Sequence, residues 1–169
     1  MIGSLSARSA NRAVVEHIVN ISSGKLSIEI YDGIRNLPQF NPDLETETPP
    51  AEVAELRQTI READGVLIST PEYVFGVPGA LKNALDWTVS TTDFREKPTA
   101  VIVASLSGEK AFESLLLTLK TIEARIGEGC SLLIQHVKAM MGSEGTLDHE
   151  PTLAAIDNLL ASFIRSVDA

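Results

Sequence analysis

The stretch VLISTPEYVFGVPGALKNALDW, Val66 to Trp87, decides how this chain folds. Its opening residues, Val66 to Ser69, are apolar nearly throughout, as a strand covered on both faces must be. Its closing residues, Ala80 to Trp87, read as a helix. Pro71 and Pro78 freeze the backbone at either end of the connection, and Pro78 suits a first helical turn. Gly76 permits close backbone approach, while Tyr73 and Phe75 add aromatic surface. Such a connection is either turn chemistry, with its aromatics packed on the core or in an interface, or the floor under a flat ligand.

Outward from this stretch, helical and strand periods alternate along the whole chain. Ala10, Val14, Ile18 and Ile21 share one helical face, so the spacing predicts a helix over Ser9 to Ile21. Leu26 to Tyr31 alternates like a strand, and Gly33 to Pro49 is a polar, proline-punctuated loop. Val53, Leu56, Ile60 and Ala63 predict a helix over Pro50 to Ala63. Then come a strand at Gly65 to Ser69, a helix from Gly79 to about Val89 and a β-branched strand at Thr99 to Leu106. A helix at Lys110 to Ile126, a strand at Ser131 to Val137 and a helix at Pro151 to Val167 complete the chain. Apolar strands alternating with helices make an α/β fold: a doubly wound parallel sheet in three α/β/α layers, with right-handed crossovers. The 169 residues are read as one domain, 1–169.

In this architecture ligands bind beyond the carboxyl ends of the strands. Three loops belong there. Gly3 to Asn11, GSLSARSAN, carries three serines, an arginine and an asparagine into a helix start, where free N–H groups and a partial positive charge attract anions. From Met1 to Val15 there is no acid, although the chain has a net charge of −9. Arg8 and Arg12 lie in that gap. The loop is therefore a candidate anion site, or Ser9 is simply an N-cap. Pro71 to Gly76 is the second loop. Ser105 to Lys110, SLSGEK, is the third.

The net charge argues against nucleic acid as a partner, and no apolar run approaches the ~20 residues of a membrane span. One cysteine, Cys130, leaves no internal disulfide, and three scattered histidines make no metal set. A cytoplasmic setting is the expectation. His17, His136, His149 and Cys130 form no catalytic constellation: a helix residue, a strand residue, a polar-loop residue and a buried thiol. Glu72 either acts on a ligand's edge or joins an interface network.

The run PEYVFGVPGALKNALDW resembles the NAD(P)H-dependent FMN reductases of flavodoxin-like fold, a group that includes quinone, azo-dye and chromate reductases. GSLSARSAN is similar to the family's phosphate loop, and LPQFNPDLE, Leu37 to Glu45, to its loop after the second strand. The resemblance implies that Ser4, Ser9 and Asn11 hold the FMN phosphate. Ser6 stands where the family often has arginine, and Arg8 is the nearby replacement. Pro71, Glu72 and Tyr73 match the ring-binding loop, continued by Val74, Phe75 and Gly76; Val74 replaces a frequent asparagine. Ser107 and Gly108 match the ring-side loop.

By the same resemblance, the family's first strand lies inside the sheet, between its second and third strands. Only Met1 and Ile2 precede Gly3 here, so that strand is expected to be truncated. The implied activity is an FMN-mediated reductase taking hydride from NAD(P)H and passing electrons to a flavin, quinone or similar small acceptor. No catalytic acid, base or nucleophile is required of the protein. The alternatives are a flavodoxin-like electron carrier, or a flavin-free scaffold if the short strand abolishes binding. A homodimer or homotetramer is expected. Ala80 and Ala84, beside Leu81, Leu85 and Trp87, offer either an interface face or ordinary packing on the sheet.

Overall fold

The computed structural model describes residues 1–143 and 145–169. Among these residues three parallel strands lie side by side in chain order: β1 (Val66–Thr70), β2 (Thr99–Ala104) and β3 (Ser131–Ile134). Val66 pairs with Thr99, and Val101 with Ser131. Every residue of the central β2 is buried. That is why its sequence shows a continuous apolar run rather than alternation.

Among the described residues, five α-helices cover the two faces: α1 (Ala10–Ile21), α2 (Ala51–Glu62), α3 (Gly79–Asp86), α4 (Glu109–Thr121) and α5 (Glu150–Val167). Val101 and Val103 of β2 pack into a core with Leu56, Leu81, Leu85 and Leu115, from α2, α3 and α4. Ala100, Ile102 and Ala104 pack on the opposite side with Val14, Ile18, Ile156 and Phe163, from α1 and α5. The sheet thus separates two cores, as three layers require.

Several boundaries fall short of the sequence periodicity. α4 stops at Thr121 because Glu123 takes a left-handed φ of 60°, and its carbonyl accepts the Glu96 N–H at 2.9 Å. β3 stops at Ile134 because His136 is left-handed, φ 53°, and leads into a 3-10 turn at Val137–Met140. His136 is therefore a strand-end residue, not a strand residue. α3 ends at Asp86; the carbonyl of Trp87 receives Nε and an Nη of the buried Arg57 at 2.9 and 2.6 Å.

The strand expected at Leu26–Tyr31 does not form. Those residues are assigned neither helix nor strand and pair with nothing among the described residues. The neighbouring edge of β1 is taken instead by Met1 to Gly3. The Met1 ammonium donates to the Leu67 carbonyl at 2.7 Å, the Ser69 N–H donates to the Met1 carbonyl at 3.0 Å, and the Gly3 N–H donates to the Ser69 carbonyl at 2.8 Å. Ile2 forms one parallel bridge with Ser69. Strands must lie ~4.8 Å apart to bond. Three residues hold the chain beside β1 but extend no ladder to Leu26–Tyr31.

Candidate functional site

The carboxyl ends of β1, β2 and β3 open on a cleft of about 1160 Å³, ample for a nucleotide-sized ligand. One wall is the segment before α1, with Ser4, Ser6, Arg8 and Ser9; another is Pro71, Glu72 and Tyr73; a third is Ser105 and Leu106. His136 and Lys138, after β3, close the far side. The sequence singled out neither His136 nor Lys138 for the site, and it gave Leu106 only as part of the Ser105–Lys110 loop. Only the rule that loops after parallel strands converge pointed there.

Each wall has a local cause. Ser9 caps α1, its Oγ accepting the Arg12 N–H at 3.1 Å. The first turn contains no acid, so the early N–H groups of α1 and their partial positive charge face the cleft uncompensated. Arg12 is drawn to Asp32 at 2.8 Å, whereas Arg8 enters no ion pair among the described residues. Gly3 must be glycine: a Cβ there would lie 2.2 Å from Thr70 Oγ1. That close approach sets the loop directly on the end of β1.

The three walls are cross-linked. Ser4, only 6% exposed, lies with its Oγ 3.4 Å from the Tyr73 hydroxyl. The Glu72 N–H donates to Ser105 Oγ at 3.2 Å. The Glu72 carboxylate accepts from Ser107 Oγ at 2.7 Å, Gly108 N–H at 3.2 Å and Ala111 N–H at 2.9 Å. Burial pushes the Glu72 carboxyl up, but these hydrogen bonds outweigh it and hold it below its usual range. Ser107 and Gly108 therefore brace Glu72 in this structure. Gly108 sits at φ 97°, and a Cβ would lie 2.8 Å from Leu133 Cδ1.

Asn11 is 2% exposed and turned into the protein. Its Nδ2 donates to the Ala104 carbonyl and its Oδ1 accepts from Ser69 Oγ, both at 2.9 Å. Its side chain is thus occupied in joining α1 to the ends of β1 and β2. Tyr73, Val74, Phe75 and Gly76 form a tight turn, with reciprocal Tyr73 and Gly76 backbone bonds at 2.9 and 3.0 Å. Val74 and Phe75 adopt φ 50° and 57°, rare for such side chains. They are 99% and 77% exposed, Tyr73 is 53%, and Leu106 across the cleft is 75%.

The helix face offered for self-association is instead core. Leu81, Ala84, Leu85 and Trp87 are buried in the protein's own interior. The small residue Ala84 admits the sheet, not a second copy.

The profile of the NADPH-dependent FMN reductases matches residues 1–138. The chain belongs to this family. It is 31% identical over 97% of its length to a subunit of NADH:(hydroxy)cinnamate reductase from Vibrio ruber, covering 83% of that protein. It is 38% identical to a quinone reductase of Pseudomonas putida, over 98% of this chain and 92% of that one. The solved structure of FerB, an NAD(P)H:(acceptor) oxidoreductase flavoenzyme from Paracoccus denitrificans, superposes with a TM-score of 0.80 at 26% identity, covering 99% of this chain and 94% of the other. The flavodoxin-like α/β fold and an FMN- and NAD(P)H-dependent oxidoreductase activity follow.

The cleft suits the family's cofactor. An acid-free helix start beside Arg8 provides donors for a phosphate. The rigid turn after Pro71 provides exposed aromatic surface for a ring. Among the described residues no group of three or more His, Cys, Asp or Glu is placed to hold a metal, and no helix is long and apolar enough to cross a membrane.

Proposed function

We propose that this FMN reductase passes electrons to a small planar acceptor, a quinone or free flavin, through an open cleft. The observation that carries this reading is the cross-linking of the Gly3–Ser9, Pro71–Gly76 and Ser105–Gly108 loops through Ser4–Tyr73 and Glu72. FMN, when bound, supplies the hydride chemistry. The chain's own residues bind and orient. Ser4, Ser6, Arg8, Ser9 and the first-turn N–H groups of α1, including that of Asn11, would hold the phosphate. Pro71 to Gly76 would floor the ring, with backbone N–H groups toward its polar edge. Glu72 would keep Ser107 and Gly108 fixed beside it. The acceptor then needs only an exposed apolar face, which Tyr73, Phe75 and Leu106 supply. The relatives' substrates, a (hydroxy)cinnamate and quinones, agree with an undemanding pocket.

The protein would be cytoplasmic and a homodimer or homotetramer. The reason for self-association is the exposure of the large apolar side chains Val74, Phe75 and Leu106. Purified protein mixed with FMN should oxidise NAD(P)H when a quinone is added. Retained flavin with no NAD(P)H oxidation would point to an electron carrier instead, and failure to retain flavin at micromolar concentration to a scaffold.

A further inference from the structure

The segment after β3 lines the cleft with two side chains that the binding of FMN leaves unused, His136 and Lys138. It is fastened to the loop after β2. The His136 N–H donates to the Leu106 carbonyl at 3.0 Å, and the Val137 N–H donates to the Ser105 carbonyl at 3.1 Å. Val137 anchors the segment from beneath, buried in the core that α1 and α5 share. His136 takes a left-handed φ of 53°, which a residue with a side chain holds only where its surroundings impose it. The chain then winds into the 3-10 turn Val137–Met140. Lys138 is therefore an exposed side chain on a fixed backbone, pinned beside that of the exposed Leu106.

Charge sets this wall apart. The chain carries −9 overall, yet among the described residues the cleft is lined by three formal cations, Arg8, Arg12 and Lys138, and two acids, Glu16 and Glu72. Arg12 is taken up by Asp32, and Glu72 by the donors of the loop after β2. Arg8 stands in the segment before α1, where a phosphate belongs. Lys138 lines the cleft, and its ammonium enters no ion pair among the described residues. Glu16, on α1, is the acid that opposes it across the cleft lining.

We infer that Lys138, together with Leu106, selects the electron acceptor: a planar aromatic molecule bearing a carboxylate or sulfonate, its ring on Leu106 and its anion at the Lys138 ammonium. This rests on the reductase reading of the cleft and narrows its acceptor. An apolar side chain and a cation on one rigid wall match a molecule with an apolar body and an anionic end. A neutral quinone uses only the first of these. An anionic one adds a charge-assisted hydrogen bond to Lys138. The remaining surface of so acidic a chain repels anions, so the cation also steers such an acceptor into the cleft. The cleft, about 1160 Å³, exceeds the ~300–1,000 Å³ usual for one ligand, which leaves room for the acceptor beside the cofactor.

The test compares a naphthoquinone with its sulfonate as acceptors for the FMN-loaded protein. Lys138→Gln should lower the ratio of kcat/KM for the sulfonate over that for the parent quinone by about tenfold, the worth of one charge-assisted hydrogen bond. Lys138→Glu should lower it further, and Lys138→Arg should restore it. Added salt should erode the ratio in the wild type and leave it level in Lys138→Gln. Calorimetric binding of naphthalenesulfonate, which accepts no hydride, should weaken in Lys138→Gln and recover in Lys138→Arg. That readout needs no turnover, so it decides the inference even if the wild type oxidises no NAD(P)H and the reductase reading fails. A ratio and a sulfonate affinity that Lys138→Gln leaves unmoved would overturn the inference, as would an equal fall for both quinones. So would a fall confined to kcat/KM for NAD(P)H, or a weakened FMN Kd with the ratio unmoved, since these assign Lys138 to the phosphates of the donor or the cofactor.

Discussion

Asn11 Oδ1 accepts the hydroxyl of Ser69 at 2.9 Å, while its Nδ2 holds the Ala104 carbonyl at the same distance. One buried amide thereby ties the start of α1 to the ends of two strands. It fixes the loop that precedes it. Asn11→Ala should cost about 2–3 kcal/mol, because it strands a buried hydroxyl and a carbonyl together. Ser69→Ala, which removes one partner of a remaining pair, should cost about 1 kcal/mol. Urea unfolding midpoints decide this; equal costs would show that Asn11 is not the hub.

Glu72→Gln tests the brace between the second and third loops. The amide keeps acceptor capacity on one oxygen but loses the charge that three donors share. Retention of FMN should weaken by roughly tenfold, the value of about one charge-assisted hydrogen bond. The sign with pH is also set. A carboxyl held below its unfolded value of 4.5 contributes stability that is complete above that pH and is lost as pH falls through the folded value. Wild type should therefore lose more stability than Glu72→Gln on acidification below about pH 4.5. Parallel acid profiles would refute the brace.

The Met1 ammonium gives a second window of the same sign at higher pH. Burial lowers its pKa from 8.0 to about 6. Between those values the unfolded chain binds more protons than the folded one, so stability rises with pH from 6 to 8. Two units correspond to about 2–3 kcal/mol. Denaturant unfolding at pH 6, 7 and 8 measures it, and a flat profile would mean that the amine is solvated.

Val74 is β-branched yet sits at φ 50°, a conformation that costs roughly 1–2 kcal/mol. Val74→Asn should raise Tm by about 2–4 °C, since asparagine tolerates the left-handed region and one kcal/mol moves a domain of this size that far. Glycine would gain less because it also loosens the unfolded chain. A lowered Tm would show that the Val74 side chain earns its place through contacts in an assembly.

Arg57 joins the carboxylate of Glu45 at 2.6 Å and the carbonyl of Trp87. Both partners of the ion pair are largely shielded from solvent. Arg57→Ala leaves Glu45 uncompensated and should destabilise by about 3–5 kcal/mol. Recovery in the double variant with Glu45→Gln would confirm the coupling.

The chain order of elements was legible because apolar runs such as Val66–Ser69 and Thr99–Ala104 admit only an interior, parallel placement. The Pro71–Pro78 stretch announced itself because proline and glycine constrain backbone locally, and local constraints are written in local sequence. Pairing is different, since it depends on a neighbour. Leu26–Tyr31 carries a strand's alternation but lacks a strand beside it, and no pattern within those residues reveals that. The same holds for Asn11, whose residue type suits either a phosphate or a buried junction. Only its nearness to Ser69 and Ala104, residues 58 and 93 positions away, turned it inward. Ala84 and His136 were likewise assigned by packing, Ala84 to the core and His136 to the cleft. Periodicity settles which face of an element is apolar; the tertiary arrangement settles what covers that face, because burial free energy belongs to surfaces brought together rather than to either one alone.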